Sequence, residues 1–430
     1  MEKENKIFIV IMLTLIFVLM LSIFSGKIFS EQITEAKNST KAQRGLNIDW
    51  EQIFPYDTTI DLNETNIISG DNTEDYFWVT IENKINKFGN IGTNWSKLMY
   101  KYDEISKIGL IINSKLTDVS KTSSYIKLEN GYWTGLSTSL MTQLNADEAI
   151  VEYSDLQKYL ESEGIEFLYC FAPSKECKED PELPVGVEST TNENIDLYIN
   201  SLRNYDVNYI DMRESIHQDG LEHYSLFYKT DHHWNVSAGM WATAVIENEI
   251  SKKFGIEMES LDSFGTFTET VYENAMFGSA GQGITHYIAQ SEDFSIYYPD
   301  FETSFHLEIP DYEIDEEGSF EDIFIDYAGL EDVISEGGGY AYEKILYGNR
   351  PYEKITNLNN PDGPKIFIIK DSFGIAVAPY LALSCSELVL VDTRTTNGNM
   401  NGSIISCIDD FNPEIVLTIM SAPQELNLSK

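Results

Sequence analysis

Positive charge is scarce in this chain. Its 430 residues hold 29 lysines and arginines against 70 aspartates and glutamates, a formal net charge of −41. A surface that negative repels phosphate backbones, which argues against nucleic acid as a partner. From Gly255 to Glu343 there is no lysine or arginine, and Asp311 to Glu336 alone carries eleven acidic residues. No D-x-[DN]-x-[DN]-G loop accompanies them, so the run reads as solvated acidic surface rather than a calcium site. Cysteine is scarce as well: Cys170, Cys177, Cys385 and Cys407 are the four present. None forms a CxxC pair, which argues against structural zinc. An even number in an exported chain allows two disulfides, and buried free thiols are an equal alternative. No metal and no cofactor is expected.

Long apolar runs are absent with one exception. Ile7 to Gly26 is twenty residues without a charge, preceded by Lys3 and Lys6. As a helix that length spans the hydrocarbon core of a bilayer. It exceeds the apolar run of a cleaved signal peptide, and Ser25-Gly26-Lys27 makes a poor cleavage site. Residues 1–30 therefore read as an uncleaved signal anchor with a short cytoplasmic N-terminus, since the lysines orient the segment and Glu2 and Glu4 count for little. The expectation is a single-pass protein of the cell membrane with its main domain outside. Residues 31–120 are polar and read as a stalk and lead-in.

Regular patterning starts near Asp147. Asp147 to Glu163 reads as a helix, with Gly164 where a C-terminal cap belongs. Ile165 to Ala172, apolar apart from Glu166, reads as a strand of the buried parallel kind, ended by Pro173. Asn192 to Tyr205 reads as a helix, Asn208 to Met212 as a strand, and Asn235 to Phe254 as a helix begun by Asn235 or Ser237. The pattern breaks between about 255 and 362, which reads as a β- and loop-rich acidic insertion covering one end of the core. It resumes with a strand at Lys365 to Ile369, a helix at Ser372 to Leu383, a strand at Glu387 to Val391, a short helix at Gly402 to Asp409 and a strand at Glu414 to Met420. Alternation of this kind predicts an α/β fold with a parallel sheet covered on both faces.

Two segments carry chemistry. Thr230-Asp231-His232-His233-Trp234-Asn235 precedes a helix in a chain with only six histidines. Lys370-Asp371-Ser372-Phe373-Gly374 lies between a strand and a helix, at the carboxyl end of a strand where ligands bind in open α/β sheets. A serine hydroxyl needs a base, and a histidine base needs a partner to fix its tautomer. In an extended loop Asp231 and His233 face one way and His232 the other. Alone, Ser372 also fits a helix N-cap, and His232 with His233 also fits a pair of metal ligands. Arg394, after Asp392 at a strand end, reads either as a substrate-binding residue or as the partner of Asp392. Trp234 reads as a packing residue; His286 and His306 receive no role.

TDHHWN followed far downstream by KDSFG resembles the DHHW family and the related AlgX/AlgJ-type proteins of polysaccharide O-acetylation, whose fold is SGNH-hydrolase-like. The resemblance runs from about Tyr125 to the C-terminus and takes in Pro173-Ser174-Lys175 and Asn208-Tyr209-Ile210-Asp211. It implies a flavodoxin-like three-layer parallel sheet over residues 121–430, and Ser372, His233 and Asp231 as nucleophile, base and orienter. An ordinary SGNH hydrolase begins with the serine block and ends with the histidine block. Here the order is reversed, as in a circular permutation. Ser421-Ala422-Pro423-Gln424 stands where the family offers an oxyanion asparagine, with Gln424 as the substitute donor, and Lys370 stands where a glycine precedes Asp-Ser. Arg394 and Lys175 are further candidates for oxyanion or substrate contacts. The implied function is acetyl transfer to, or ester cleavage on, a cell-surface polysaccharide, beside a membrane-bound O-acyltransferase that supplies the acetyl group. The alternative is a catalytically silent glycan-binding or scaffolding module of the cell envelope.

Overall fold

A computed structural model describes residues 125–184, 186–284, 289–394, 403–426 and 428. The expected signal anchor, the stalk and His286 lie outside the described residues. Among the described residues no helix is long and apolar enough to cross a membrane.

In chain order, a short antiparallel ladder of β1 (Ile126–Lys127) and β2 (Trp133–Thr134) leads into α1 (Gln143–Glu163). α1 starts four residues before the expected Asp147. The Thr142 hydroxyl caps the Asn145 N–H and the Asn145 side chain returns to the Thr142 N–H, satisfying donors a helix start leaves open. It ends at Gly164, which adopts φ 77°, a left-handed cap that glycine takes without steric cost. Ile150, Tyr153, Leu156 and Leu160 recur at helical spacing and form its buried face. Then come β3 (Glu166–Phe171), α2 (Thr191–Asn204) and β4 (Tyr209–Asp211). β4 stops at Asp211 because its carboxylate caps an unforeseen helix, α3 (Met212–Gln218). α4 (Val236–Phe254) is capped by Asn235 and ends at Gly255.

The insertion supplies β5 (Phe267–Met276), α5 (Ser279–Ile284), β6 (Glu292–Pro299), β7 (Phe305–Ile309), β8 (Ile314–Gly318), α6 (Phe320–Phe324), α7 (Tyr327–Ser335) and β9 (Tyr352–Asn357). The chain closes with β10 (Lys365–Lys370), α8 (Ala378–Ser384), β11 (Glu387–Val391), α9 (Ile404–Phe411) and β12 (Ile415–Met420). The helix expected from Ser372 is split: a 3-10 turn at Ser372–Ala376 precedes α8. Pro379 sits in the first turn of α8, and its missing N–H cannot extend a helix from residue 375.

The central sheet has eight strands in the order β4-β3-β12-β10-β11-β9-β7-β8. The five from β4 to β11 are parallel neighbours. Counted from β10 as the first strand, they stand in the order 2-1-3-4-5, the flavodoxin-like arrangement in circularly permuted form. The expected all-parallel sheet is corrected in one respect. β9, β7 and β8 add antiparallel strands, so the sheet is mixed and the insertion extends it instead of only covering an end. β5 and β6 form a separate hairpin. β8, the outer edge, reads Ile-Asp-Glu-Glu-Gly, and its charges discourage pairing with another chain.

Alternation along the strands makes the layers. Phe367, Ile369, Val389, Val391 and Val416 pack with α1, α2 and α9 on one face. Ile366, Ile368, Leu388, Leu390 and Leu417 pack with α4, α8 and the insertion on the other. All four cysteines are free thiols, so the disulfide alternative is set aside.

Candidate active site

β10 and β12 flank the point where the strand order reverses, and a crevice outside the carboxyl ends of such strands is the usual binding place. Ser372 follows β10 there. Its turn is tied down by Asp371, whose Oδ1 accepts from the Phe373 N–H at 2.8 Å and whose Oδ2 accepts from the Ser421 N–H at 2.8 Å and the Ser421 hydroxyl at 2.7 Å. Asp371 thereby links the ends of β10 and β12. Ser421 is thus a clamp on the nucleophile turn. Gly239 lets α4 approach this turn: a Cβ there would lie 2.5 Å from the Ala376 carbonyl oxygen.

The loop before α4 brings the base. An isolated bridge pairs Phe227 with Trp234, and the Trp234 indole, fully buried, donates to the Phe373 carbonyl at 3.1 Å. Between these anchors His233 Nε2 lies 2.6 Å from Ser372 Oγ, and His233 Nδ1 lies 2.5 Å from Asp231 Oδ1. Asp231 Oδ1 also accepts the His233 backbone N–H at 2.9 Å. With Nδ1–H donated to Asp231, Nε2 is free to accept the serine proton. Burial alone would raise the Asp231 carboxyl. The hydrogen bond from His233, the nearby charges of His233 and His232, and the Ser279 N–H outweigh it, and the carboxyl is held well below the usual carboxylate range. Asp231 stays ionised, as an orienter must. Among the described residues the Ser372 N–H makes no hydrogen bond, which leaves it available to an oxyanion.

The insertion completes the site, which the sequence did not disclose. The Ser279 N–H donates to Asp231 Oδ2 at 2.6 Å. Glu292 accepts from the N–H groups of Lys229 and Thr230, at 2.8 and 2.7 Å, and from the Thr230 hydroxyl at 2.7 Å. Tyr342 lies parallel to the His233 ring at 4.4 Å between centroids and donates its hydroxyl to the Ser372 carbonyl at 3.0 Å. Gly278 permits the close approach: a Cβ there would sit 2.2 Å from Asp231 Cβ and Oδ2. Gly278→Ala is expected to lower activity about 100-fold by displacing Asp231, with thermal unfolding still cooperative. Wild-type turnover in that variant would show that the carboxylate tolerates the shift.

The three subsidiary residues separate. Lys175 is buried, and its Nζ donates to the carbonyls of Trp133 at 2.7 Å and Lys229 at 3.3 Å. Burial pushes its pKa down to about 7 against the pull of Asp231 and Glu292. It therefore braces the base loop, and its ammonium is enclosed by backbone instead of facing substrate. Arg394 grips buried Asp392 through Nε at 3.0 Å and an η nitrogen at 2.7 Å, the pairing weighed from the sequence, while its side chain stays partly exposed near His232. Gln424 points its amide oxygen to the Thr393 hydroxyl at 2.9 Å, and its backbone brackets the Tyr153 hydroxyl. Among the described residues no hydrogen bond joins Gln424 to Ser372.

Lys370, in the place of the expected glycine, has its own partner. It and Glu353 on β9 are both fully buried, with Nζ and Oε1 3.4 Å apart and no aligned hydrogen bond. Burial pushes the Glu353 carboxyl up to about 7, opposed by Lys370 and Arg350 and reinforced by Asp392.

Asp231, His232 and His233 also place three ligand atoms within 4.8 Å of one another. Both ring nitrogens of His233 are already committed, to Asp231 and Ser372, so a cation there would have to dismantle the triad geometry. A polar cleft of about 790 Å³ beside the edge strand β4, lined by Arg203, Tyr209, Trp241 and Lys252 among others, contains none of the triad residues.

Residues 135–282 match the family model of the SGNH hydrolase-like domain of the acetyltransferase AlgX. That segment holds Asp231, His233 and Gly278; Ser372 lies beyond it. Among solved structures, PatB1 of Bacillus cereus with a sulfonyl adduct is similar at TM-score 0.55 and 19% identity, covering 70% of this chain and 98% of that one. A DHHW family protein from Eubacterium siraeum is similar at TM-score 0.53 and 19% identity, covering 70% of this chain and 92% of that one. No curated protein sequence matches the chain. The family model thus meets the resemblance over the segment that holds the first motif, and the solved structures share the fold.

Proposed function

We propose that this domain is a serine-dependent acyl-transfer enzyme that moves acetyl groups to, or cleaves them from, a cell-surface polysaccharide. The observation that carries the reading is the continuous path Asp231 Oδ1–His233–Ser372 Oγ, at 2.5 and 2.6 Å. In the first step Ser372 Oγ attacks the carbonyl carbon of an acetyl ester while its proton passes to His233 Nε2. Asp231 stabilises the imidazolium through Nδ1–H, and the Ser372 N–H donates to the carbonyl oxygen as it becomes anionic. Collapse breaks the bond to the alcohol, which takes the proton from Nε2 and leaves Ser372 acetylated. A sugar hydroxyl or water then repeats the sequence in reverse.

The choice of acetyl and polysaccharide is supported by the AlgX family model, although that match covers residues 135–282 only. A protein of the same fold, PatB1, takes a sulfonyl adduct, as activated nucleophiles do. The signal anchor would hold the domain at the outer face of the membrane, beside an O-acyltransferase that delivers the acetyl group. A silent scaffold has no need of a serine within hydrogen-bond reach of an oriented histidine, so the enzymatic reading is preferred.

Purified protein is expected to release nitrophenolate from para-nitrophenyl acetate and to place acetyl groups on a cell-surface polysaccharide supplied as acceptor. Acetate release without acceptor acetylation would mark an esterase. Formation of neither product would overturn the reading.

A further inference from the structure

We infer that His232 is the acceptor-binding residue of this site, holding a hydroxyl of the sugar beside the one that takes the acyl group. The inference rests on the acyl-transfer reading above. Residues 231–233 form a bend instead of the expected extended loop, so His232 stays beside Asp231 and His233, with half of its side chain exposed while theirs are buried. Yet the ring does not float in solvent. Its centroid lies 3.8 Å from that of His233 and 6.2 Å from that of Phe373, the residue after the nucleophile. Its Nδ1 lies 3.0 Å from the Ser279 hydroxyl. The same Nδ1 is 3.6 Å from Asp231 Oδ1, beyond an effective hydrogen bond. The ring is therefore fixed in the wall beside the nucleophile, with Nδ1 occupied and, among the described residues, no hydrogen bond to Nε2.

Protonation decides what Nε2 offers. The packing around the ring, His233, Lys175 and Arg394 together hold His232 down to about 4, against the pull of Asp231. The imidazole is thus neutral near pH 7. A serine hydroxyl on Nδ1 either donates or accepts, so Nε2 can meet either the lone pair or the O–H of an alcohol. That two-way match suits a carbohydrate diol. One hydroxyl would give its proton to His233 and attack the acetyl carbon on Ser372. The neighbouring hydroxyl would sit on His232. Water has no second hydroxyl to present, so the contact favours transfer over hydrolysis.

The test compares wild type, His232→Ala and His232→Gln, using para-nitrophenyl acetate as donor and a methyl glycoside with vicinal hydroxyls as acceptor. Acylation of Ser372 is read from the burst of nitrophenolate, and the fate of the acetyl group from the ratio of acetylated glycoside to acetate. The alanine variant is expected to keep its burst rate within about three-fold and to lose about ten-fold in that ratio, the scale of one hydrogen bond. The glutamine variant is expected to recover part of the ratio. An unchanged ratio, or burst and both products falling together, would overturn the role and make His232 a brace for His233. A wild type that forms no acyl-Ser372 would overturn the acyl-transfer reading itself, and the role with it.

Discussion

Ser372→Ala is expected to lower ester turnover by about three to four orders of magnitude, while the protein stays folded. The contacts that set the turn come from the backbone and from neighbours. Tyr342 bonds the Ser372 carbonyl, Trp234 bonds the Phe373 carbonyl, and Asp371 bonds the Phe373 N–H. All of these survive the loss of Oγ, so the variant isolates chemistry from architecture. Asp231→Asn is expected to match it within about ten-fold, since an amide oxygen cannot stabilise the imidazolium as a carboxylate does. Initial rates on an acetyl ester, with circular dichroism of each variant, check both. Residual activity within ten-fold of wild type for the alanine variant would move the nucleophile elsewhere.

The second large effect concerns stability. Glu353→Leu is expected to destabilise the protein by about 3–5 kcal/mol, because it leaves the Lys370 ammonium buried without its partner. Lys370→Met combined with Glu353→Leu is expected to restore most of that loss, since two apolar chains need no ion pair. Urea midpoints of the two single variants and the double variant measure the coupling. The pair also gives stability a pH signature. The Glu353 carboxyl rises from 4.5 to about 7 in the folded state, so the folded protein holds a proton that the unfolded chain releases. Its contribution is fully present below the unfolded value and is lost as pH rises through about 7. His232, held to about 4, acts with the opposite sign below neutrality, and Lys175, held to about 7, does so above it. The readout is therefore the difference between wild type and Glu353→Gln. Wild type is expected to lose stability relative to that variant between about pH 5 and about pH 8. A parallel pair of curves would show that Glu353 ionises normally.

The parts of this molecule that are local were legible in the sequence. Asp231, His233 and Ser372 sit at the ends of regular elements, in patterns whose residue types already imply the chemistry. The parallel core was legible because most of its strands are buried on both faces and read as nearly continuous apolar runs with polar residues mainly at their ends. What was missed depends on contacts between distant segments. Glu292, Ser279 and Tyr342 come from an acidic stretch with no visible pairing to the histidine loop. Their roles exist only because that stretch folds back over it. β8 was hidden because Asp315, Glu316 and Glu317 replace the usual β-branched residues on an edge. Lys370 appeared in the sequence as a departure from the expected glycine, and the structure gives it Glu353 as a buried partner. Gln424 depends on such a contact as well: its amide oxygen is taken by the Thr393 hydroxyl, a partner its position in the sequence did not announce.

In an acyl-transfer enzyme built this way, Ser372 carries the acyl group between the two half-reactions. Intact-protein and peptide mass spectrometry of protein quenched during turnover of an acetyl ester tests it most directly. The mass of one acetyl group is expected on the peptide containing Ser372, with its absence from Ser372→Ala and its accumulation in His233→Ala when a highly activated ester drives acylation without the base. An acetyl group on a different residue, with Ser372 unmodified throughout, would contradict it.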